Sequence, residues 1–187
     1  VQVAEQLHKY ALRLCKAAHK AGAVTPSLYA CWALLQITRS PIEWQPNLAE
    51  VARSRHAWQQ LLATCPSGDE VDAALRVCEN GIKLFPQDET LVCLSLQLTL
   101  LKHGRITSLS DLVTLRKEFR GATRSLSDHP GLASVWRIWM ESALAADDAV
   151  DKVDAILDVW RQAATELKHS CGELKVCPLC ALGSPLR

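Results

Sequence analysis

Apolar residues recur along this chain at intervals of three and four, the spacing of one face of an α-helix. Val3, Leu7, Ala11, Leu14 and Ala18 set out a first helix. It should close near Ala21-Gly22, where glycine suits the residue just past a helix end. Thr25-Pro26 opens a second helix, with threonine as cap and proline at the first position. Leu28, Cys31, Trp32 and Leu35 mark its apolar side. From Thr38 to Pro46, two prolines and Trp44 read as a loop. Asn47 to Glu50 has a capping pattern, and a third helix is expected from there to about Thr64 through Leu48, Val51, Trp58, Leu61 and Leu62. Pro66 stops it. Ser67 and Glu70 have capping-box spacing ahead of a fourth helix with Val71, Ala74, Cys78 and Ile82 inward. Gly81 costs that helix about 1 kcal/mol relative to alanine, and close packing against a neighbour is a reason to keep it.

The stretch Leu91 to Leu101 is ambiguous. Leu94, Leu96, Leu98 and Leu100 alternate with polar or small residues, which is a strand pattern. Leucine is a good helix former, the segment Gln87 to His103 is long for a strand, and no second strand exists to pair with it. A helix is therefore expected, apolar on most sides and so buried at the centre. A sixth helix should span about Ser110 to Arg124 with Leu112, Leu115 and Phe119 inward, followed by a linker from Ser125 to His129. The last pair covers Pro130 to Lys168. Leu132, Val135, Trp136 and Trp139 mark the face of its first member. Val150, Val153, Ile156, Leu157, Trp160, Ala164 and Leu167 mark that of its second. Neither can bury its face alone, so such pairs must stack. The fold expected is all-α: antiparallel helix pairs stacked as a short α-solenoid of about eight helices over residues 1–168. An irregular tail follows over 169–187, where Gly172, Pro178, Gly183 and Pro185 break the pattern.

The 187 residues suit one domain with a good-sized core. A net charge of +1 gives no global pull toward nucleic acid or a membrane surface, and no apolar run approaches the ~18 residues of a membrane span. The chain opens on Val1 without the order of a signal peptide and is expected to be a piece of a longer protein. Of eight cysteines, Cys15, Cys31, Cys65, Cys78 and Cys93 are scattered through the helical pattern, where a reduced thiol packs as a small hydrophobe. A reducing compartment, cytosol or nucleus, follows.

Two Pro-led stretches repeat one another. Pro26-Ser-Leu-Tyr-Ala-Cys-Trp32 and Pro130-Gly-Leu-Ala-Ser-Val-Trp136 share Pro, Leu two residues on and Trp six residues on. They lie about three units of ~34 residues apart, the length of a helix-turn-helix repeat. Val135-Trp136-Arg-Ile-Trp139-Met-Glu141 followed by Ala155-Ile-Leu-Asp-Val-Trp160-Arg-Gln-Ala163 has the form of one such unit. Ala73 to Pro86 has the form of a second helix running into the next unit. In these motifs the chain resembles the tetratricopeptide (TPR) family, and more closely its half-a-TPR (HAT) variant of RNA-processing proteins. The resemblance implies a scaffold without catalysis, a nuclear setting and partners that are proteins, with RNA an indirect partner.

Six tryptophans fit repeat packing, except that Trp44, in its Pro-flanked loop, is a candidate exposed anchor. Arg116, Lys117, Arg120 and Arg124 share one helix face and could receive a phosphate or an acidic partner. The reading preferred on charge pattern is a solvated face partly paired with Glu118 and nearby acids. Asp147, Asp148, Asp151 and Asp154 sit at a helix start, where the macrodipole accounts for them. His169, Cys171, Cys177 and Cys180 are the one chemically distinctive cluster. They could hold a tetrahedral zinc, although Ala181 stands where a zinc knuckle has glycine, and the alternative is a tail with free thiols. No nucleophile-base motif and no phosphate-binding glycine loop is present. The leading expectation is a non-catalytic protein–protein scaffold, self-associating through its open ends. The alternatives are a nucleic-acid module on the Arg116–Arg124 face and a zinc-stabilised module at the tail.

Overall fold

The structure, a computed structural model, describes residues 2–38, 48–62, 66–104, 109–145 and 152–170. Among them every regular element is a helix: α1 (Gln2–Lys20), α2 (Pro26–Ile37), α3 (Leu48–Arg53), α4 (Arg55–Leu61), α5 (Gly68–Leu84), α6 (Glu89–His103), α7 (Leu109–Ser125), α8 (Leu132–Leu144) and α9 (Lys152–Ser170). The all-α expectation holds.

Local chemistry sets most of the boundaries. Gly22 follows α1 at φ +75°, the left-handed conformation that only glycine adopts cheaply. The Thr25 hydroxyl accepts from Leu28 N–H at 3.1 Å, and Asp88 caps α6 through Leu91 N–H at 2.9 Å. The capping box forms as spaced. Ser67 Oγ accepts from Glu70 N–H, and Glu70 Oε2 accepts from Ser67 N–H at 2.7 Å. α9 runs through His169 and Ser170, expected in the irregular tail, and the larger departure is a break. The single helix expected up to Thr64 is broken at Ser54, whose extended backbone and hydroxyl cap a new helix by accepting from Ala57 N–H at 3.2 Å. A serine inside an apolar period competes for the backbone in this way.

α6 is the centre. It packs against α2, α3, α5, α7 and α8, and Leu91, Val92, Cys93, Leu94, Leu96, Leu98 and Leu100 are all buried. The alternating leucines belong to a helix covered on every side, so both of their apparent faces find neighbours. Gln97 is buried with them. Its Nε2 donates to Ala52 O at 3.4 Å, while its Oε1 has no partner among the described residues.

α5 lies between α2 and α6, and Gly81 explains how it fits. A Cβ there would fall 2.9 Å from Tyr29 Cβ and 3.0 Å from Leu91 Cδ1, so the approach needs a residue without one. A second close approach occurs at Gly131, where a Cβ would fall 2.5 Å from Glu89 Cγ. Glu89 there joins three helices: it pairs with Arg53 at 2.7 Å and accepts from the Ser134 hydroxyl at 2.7 Å. On the far side of α6, Phe119 of α7 stacks on Trp139 of α8 at 4.9 Å between ring centroids, and Trp139 on Trp136 at 4.8 Å.

Candidate docking surfaces

The two terminal helices of the described chain depart from their expected faces. In α1 the partly or fully buried positions are Ala4, His8, Ala11, Leu12, Cys15 and Ala18. This row packs on α2 and is tied to it where Tyr29 Oη and His19 Nδ1 hydrogen-bond at 2.9 Å. Val3, Leu7 and Leu14, expected inward, are instead 71%, 57% and 51% exposed, and Tyr10 joins them at 59%. These four stand at i, i+4, i+7 and i+11, a second apolar row about a quarter turn from the first.

α9 has the same construction. Its buried positions are Val159, Ala163 and Leu167, against α8. Val153, Leu157 and Trp160, expected inward, are 69%, 40% and 46% exposed, and Ala164 is exposed too. Again the spacing is i, i+4, i+7, i+11. Each helix carries two apolar rows, and the small-residue row in α1 and the Val-Ala-Leu row in α9 face the body. Size accounts for the choice in α1: four of its six inward positions are alanine or cysteine, side chains that suit a close helix contact. Val150 lies outside the described residues.

The electrostatic surroundings of the two exposed rows differ. Beside the α1 row run Lys9, Arg13, Lys16 and Lys20. Lys9 pairs with Glu5 at 2.7 Å and holds that carboxyl below its ordinary value, by hydrogen bond first and charge second. The other three make no ion pair among the described residues. A shallow groove of about 370 Å³ follows the row, lined by Val3, Leu7, Tyr10, Gln6, Lys9 and Arg13. Beside the α9 row the charges alternate: Asp154 and Arg161, each exposed and without an ion pair among the described residues.

The expected basic face of α7 is divided. Arg116 donates to Asp158 of α9 at 2.9 Å, so its charge is spent on joining the two helices. Lys117 is exposed. Arg120 and Arg124 line a groove of about 520 Å³ between α7 and α9, which Asp128, Gln162 and Glu166 also line. Trp44, Cys171, Cys177 and Cys180 lie outside the described residues. His169 falls in the last turn of α9, its side chain likewise outside. Among the described residues no group of three or more His, Cys, Asp or Glu is arranged to hold a metal ion, and no helix is long and apolar enough to cross a membrane.

Burial pushes the thiols of Cys78 and Cys93 up, that of Cys93 to about 12 with a smaller contribution from Glu89. Such thiols are packing groups and poor nucleophiles. The reading of Trp32, Trp58, Trp136 and Trp139 as packing residues agrees with their burial, partial for Trp32. Trp160 is the tryptophan that sequence reasoning misplaced. The available signal was that α9 carries two apolar rows, more than one neighbouring helix can cover.

Comparison with protein-family models, with curated proteins and with solved structures finds no match to this chain.

Proposed function

We propose that this is a non-catalytic docking scaffold, a short helical-repeat module that binds other proteins through apolar rows on its terminal helices. The observation that carries the reading is that α1 and α9 both present three turns of apolar side chains to solvent, whereas the described helices between them expose at most one large apolar side chain each, Leu84 of α5, Val113 of α7 and Leu144 of α8. Monomeric soluble proteins seldom leave contiguous apolar rows open, and a helix row of this spacing is what a partner helix packs against. The α1 row, flanked by unpaired cations, suits an amphipathic helix with acidic residues beside its apolar face. Helices consecutive in the chain pack on one another in the pairs α1–α2, α5–α6 and α8–α9, which supports a solenoid-like reading. The half-a-TPR resemblance is the support for a nuclear RNA-processing assembly as its setting.

The nucleic-acid reading has less behind it. Arg116 is neutralised by Asp158, and Arg120 and Arg124 share their groove with two carboxylates. A phosphate backbone needs an unopposed row of cations.

The test is capture of partner proteins by wild type and by the double variant Leu7→Glu, Leu14→Glu, quantified by mass spectrometry. Both side chains are more than half exposed, so the helical circular dichroism should be unchanged. At least one partner should fall about tenfold or more in the variant, the loss expected when apolar anchors are replaced by charge. An identical set at identical yield would sink the reading for α1.

A further inference from the structure

The two open rows are not equivalent, and the difference assigns their occupants. An antiparallel helix pair about a two-fold axis sets each flank of a helix against the same flank of its mate. For α1 that places the flank bearing the unpaired Arg13, Lys16 and Lys20 against its own copy, and like charges repel. For α9 the result is the opposite. With Leu157 set against Trp160 of a second copy, and Val153 against Ala164, the row meets itself in alternating layers of a two-stranded antiparallel seam. The same register brings Asp154 beside Arg161 of the second copy, and symmetry makes this happen twice. Neither group has an ion pair within the described chain. Trp160, 46% exposed, falls next to the two-fold axis, the central position where interface tryptophans contribute most.

We propose that the α9 row is a self-association surface: two copies of this chain pair antiparallel along α9, with Leu157 and Trp160 interleaved at the axis and two symmetry-related Asp154–Arg161 pairs at the rim. The inference rests on the docking reading above and narrows it, giving α9 to a second copy and leaving α1 for a different protein. The seam is short beside the ~1,200 Å² of a standard interface, so the dimer is concentration-dependent.

Sedimentation equilibrium of the full chain, from about 10 µM to about 1 mM, spans the range in which a weak dimer forms. Wild type should pass from monomer to dimer across it. Trp160→Ala should weaken the dimer about a hundredfold, since it removes both central anchors. Asp154→Arg and Arg161→Asp should each weaken it about tenfold by setting like charges together at both rims. Mixed in equal amounts, those two variants should pair with each other at near wild-type strength, because every rim contact is again between opposite charges. The double variant Asp154→Arg, Arg161→Asp should self-associate as wild type does. All these side chains are exposed, and unchanged circular dichroism confirms that each variant is folded. A wild type that stays monomeric to the top of the range overturns the proposal. So does a dimer indifferent to Trp160→Ala, or a mixture no tighter than its components. Loss of self-association with α1-dependent capture intact would remove this inference alone. Loss of capture with self-association intact would remove the α1 reading and leave the dimer.

Discussion

The middle of the molecule and its two ends are built from the same kind of helix and end in opposite states. α6 is apolar on nearly every side, and every side is covered by one of five neighbours. α1 and α9 are each apolar on two rows, and each has a neighbouring helix for one of them. The contrast is sharpest within one hairpin. Trp136 of α8 is 1% exposed and stacked on Trp139, while Trp160 of α9 is 46% exposed. An apolar row is therefore a demand for a neighbour, and position in the fold decides whether the chain itself meets that demand. Where it does, the row is core. Where it does not, the row is available to another molecule.

The largest effect should come from breaking the middle. Trp136→Ala removes a fully buried indole from an aromatic stack and should lower the unfolding free energy by about 3–5 kcal/mol, read from urea denaturation. Trp160→Ala, measured in dilute solution where association is absent, should change it by less than about 1 kcal/mol. Equal losses at the two sites would erase the distinction between centre and end.

Next in size is Gly81→Val. Its Cβ would meet Tyr29 Cβ at 2.9 Å, an atom held close to the backbone that cannot swing aside. Overpacking of this kind costs about 1–3 kcal/mol, and the branched side chain adds to it. Gly81→Ala should be milder, because about 1 kcal/mol of helix propensity is regained. A stabilised alanine variant would mean that α2 and α5 can separate without penalty, contrary to the packing described.

A smaller, pH-dependent effect sharpens the same contrast. Cys93 stays protonated in the folded chain up to about pH 12, whereas an unfolded thiol ionises near about 8.5. Above that value the unfolded state gains by losing its proton and the folded state does not. The contribution of this thiol is intact below about pH 8.5 and is lost as pH rises toward 12, with Cys78 acting in the same sense. Replacing both by alanine should flatten the alkaline fall in stability measured from pH 8 to pH 10 by denaturant titration. In thiol labelling at pH 8, Cys78 and Cys93 should react only as fast as the chain opens. Rapid labelling of either in the native state would place it outside the closed centre.

Much of the architecture was legible in the sequence because helices are local. Capping by Ser67 and Glu70, the Thr25-Pro26 start and the glycine at Gly22 are choices of neighbouring residues for neighbouring backbone groups, and each forms as spaced. The leucines of α6 could be assigned to a buried helix by elimination, since a strand there had no mate. The break at Ser54 was less visible. A serine can continue a helix or cap the next one, and the local sequence satisfies both.

The candidate surfaces were the least legible part. The periodicity of α1 and α9 specifies apolar rows without ranking them, and the reading that joined Val3, Leu7 and Leu14 to Ala11 and Ala18 merged two rows a quarter turn apart. Arg116 shows the same limit for charge. It lies in line with Arg120 and Arg124 along α7, yet its partner Asp158 is more than forty residues away in the chain, so no local pattern could reveal that it is already occupied.

By itself the sequence determined which segments are helical, where most of them begin and end, and which side chains seek burial, because these follow from hydrogen bonds and periodicities within a few residues. Only the tertiary structure decided which of two apolar rows on each terminal helix is covered. That choice depends on how closely two helix axes can approach, and the approach is set by side chains distant in the chain.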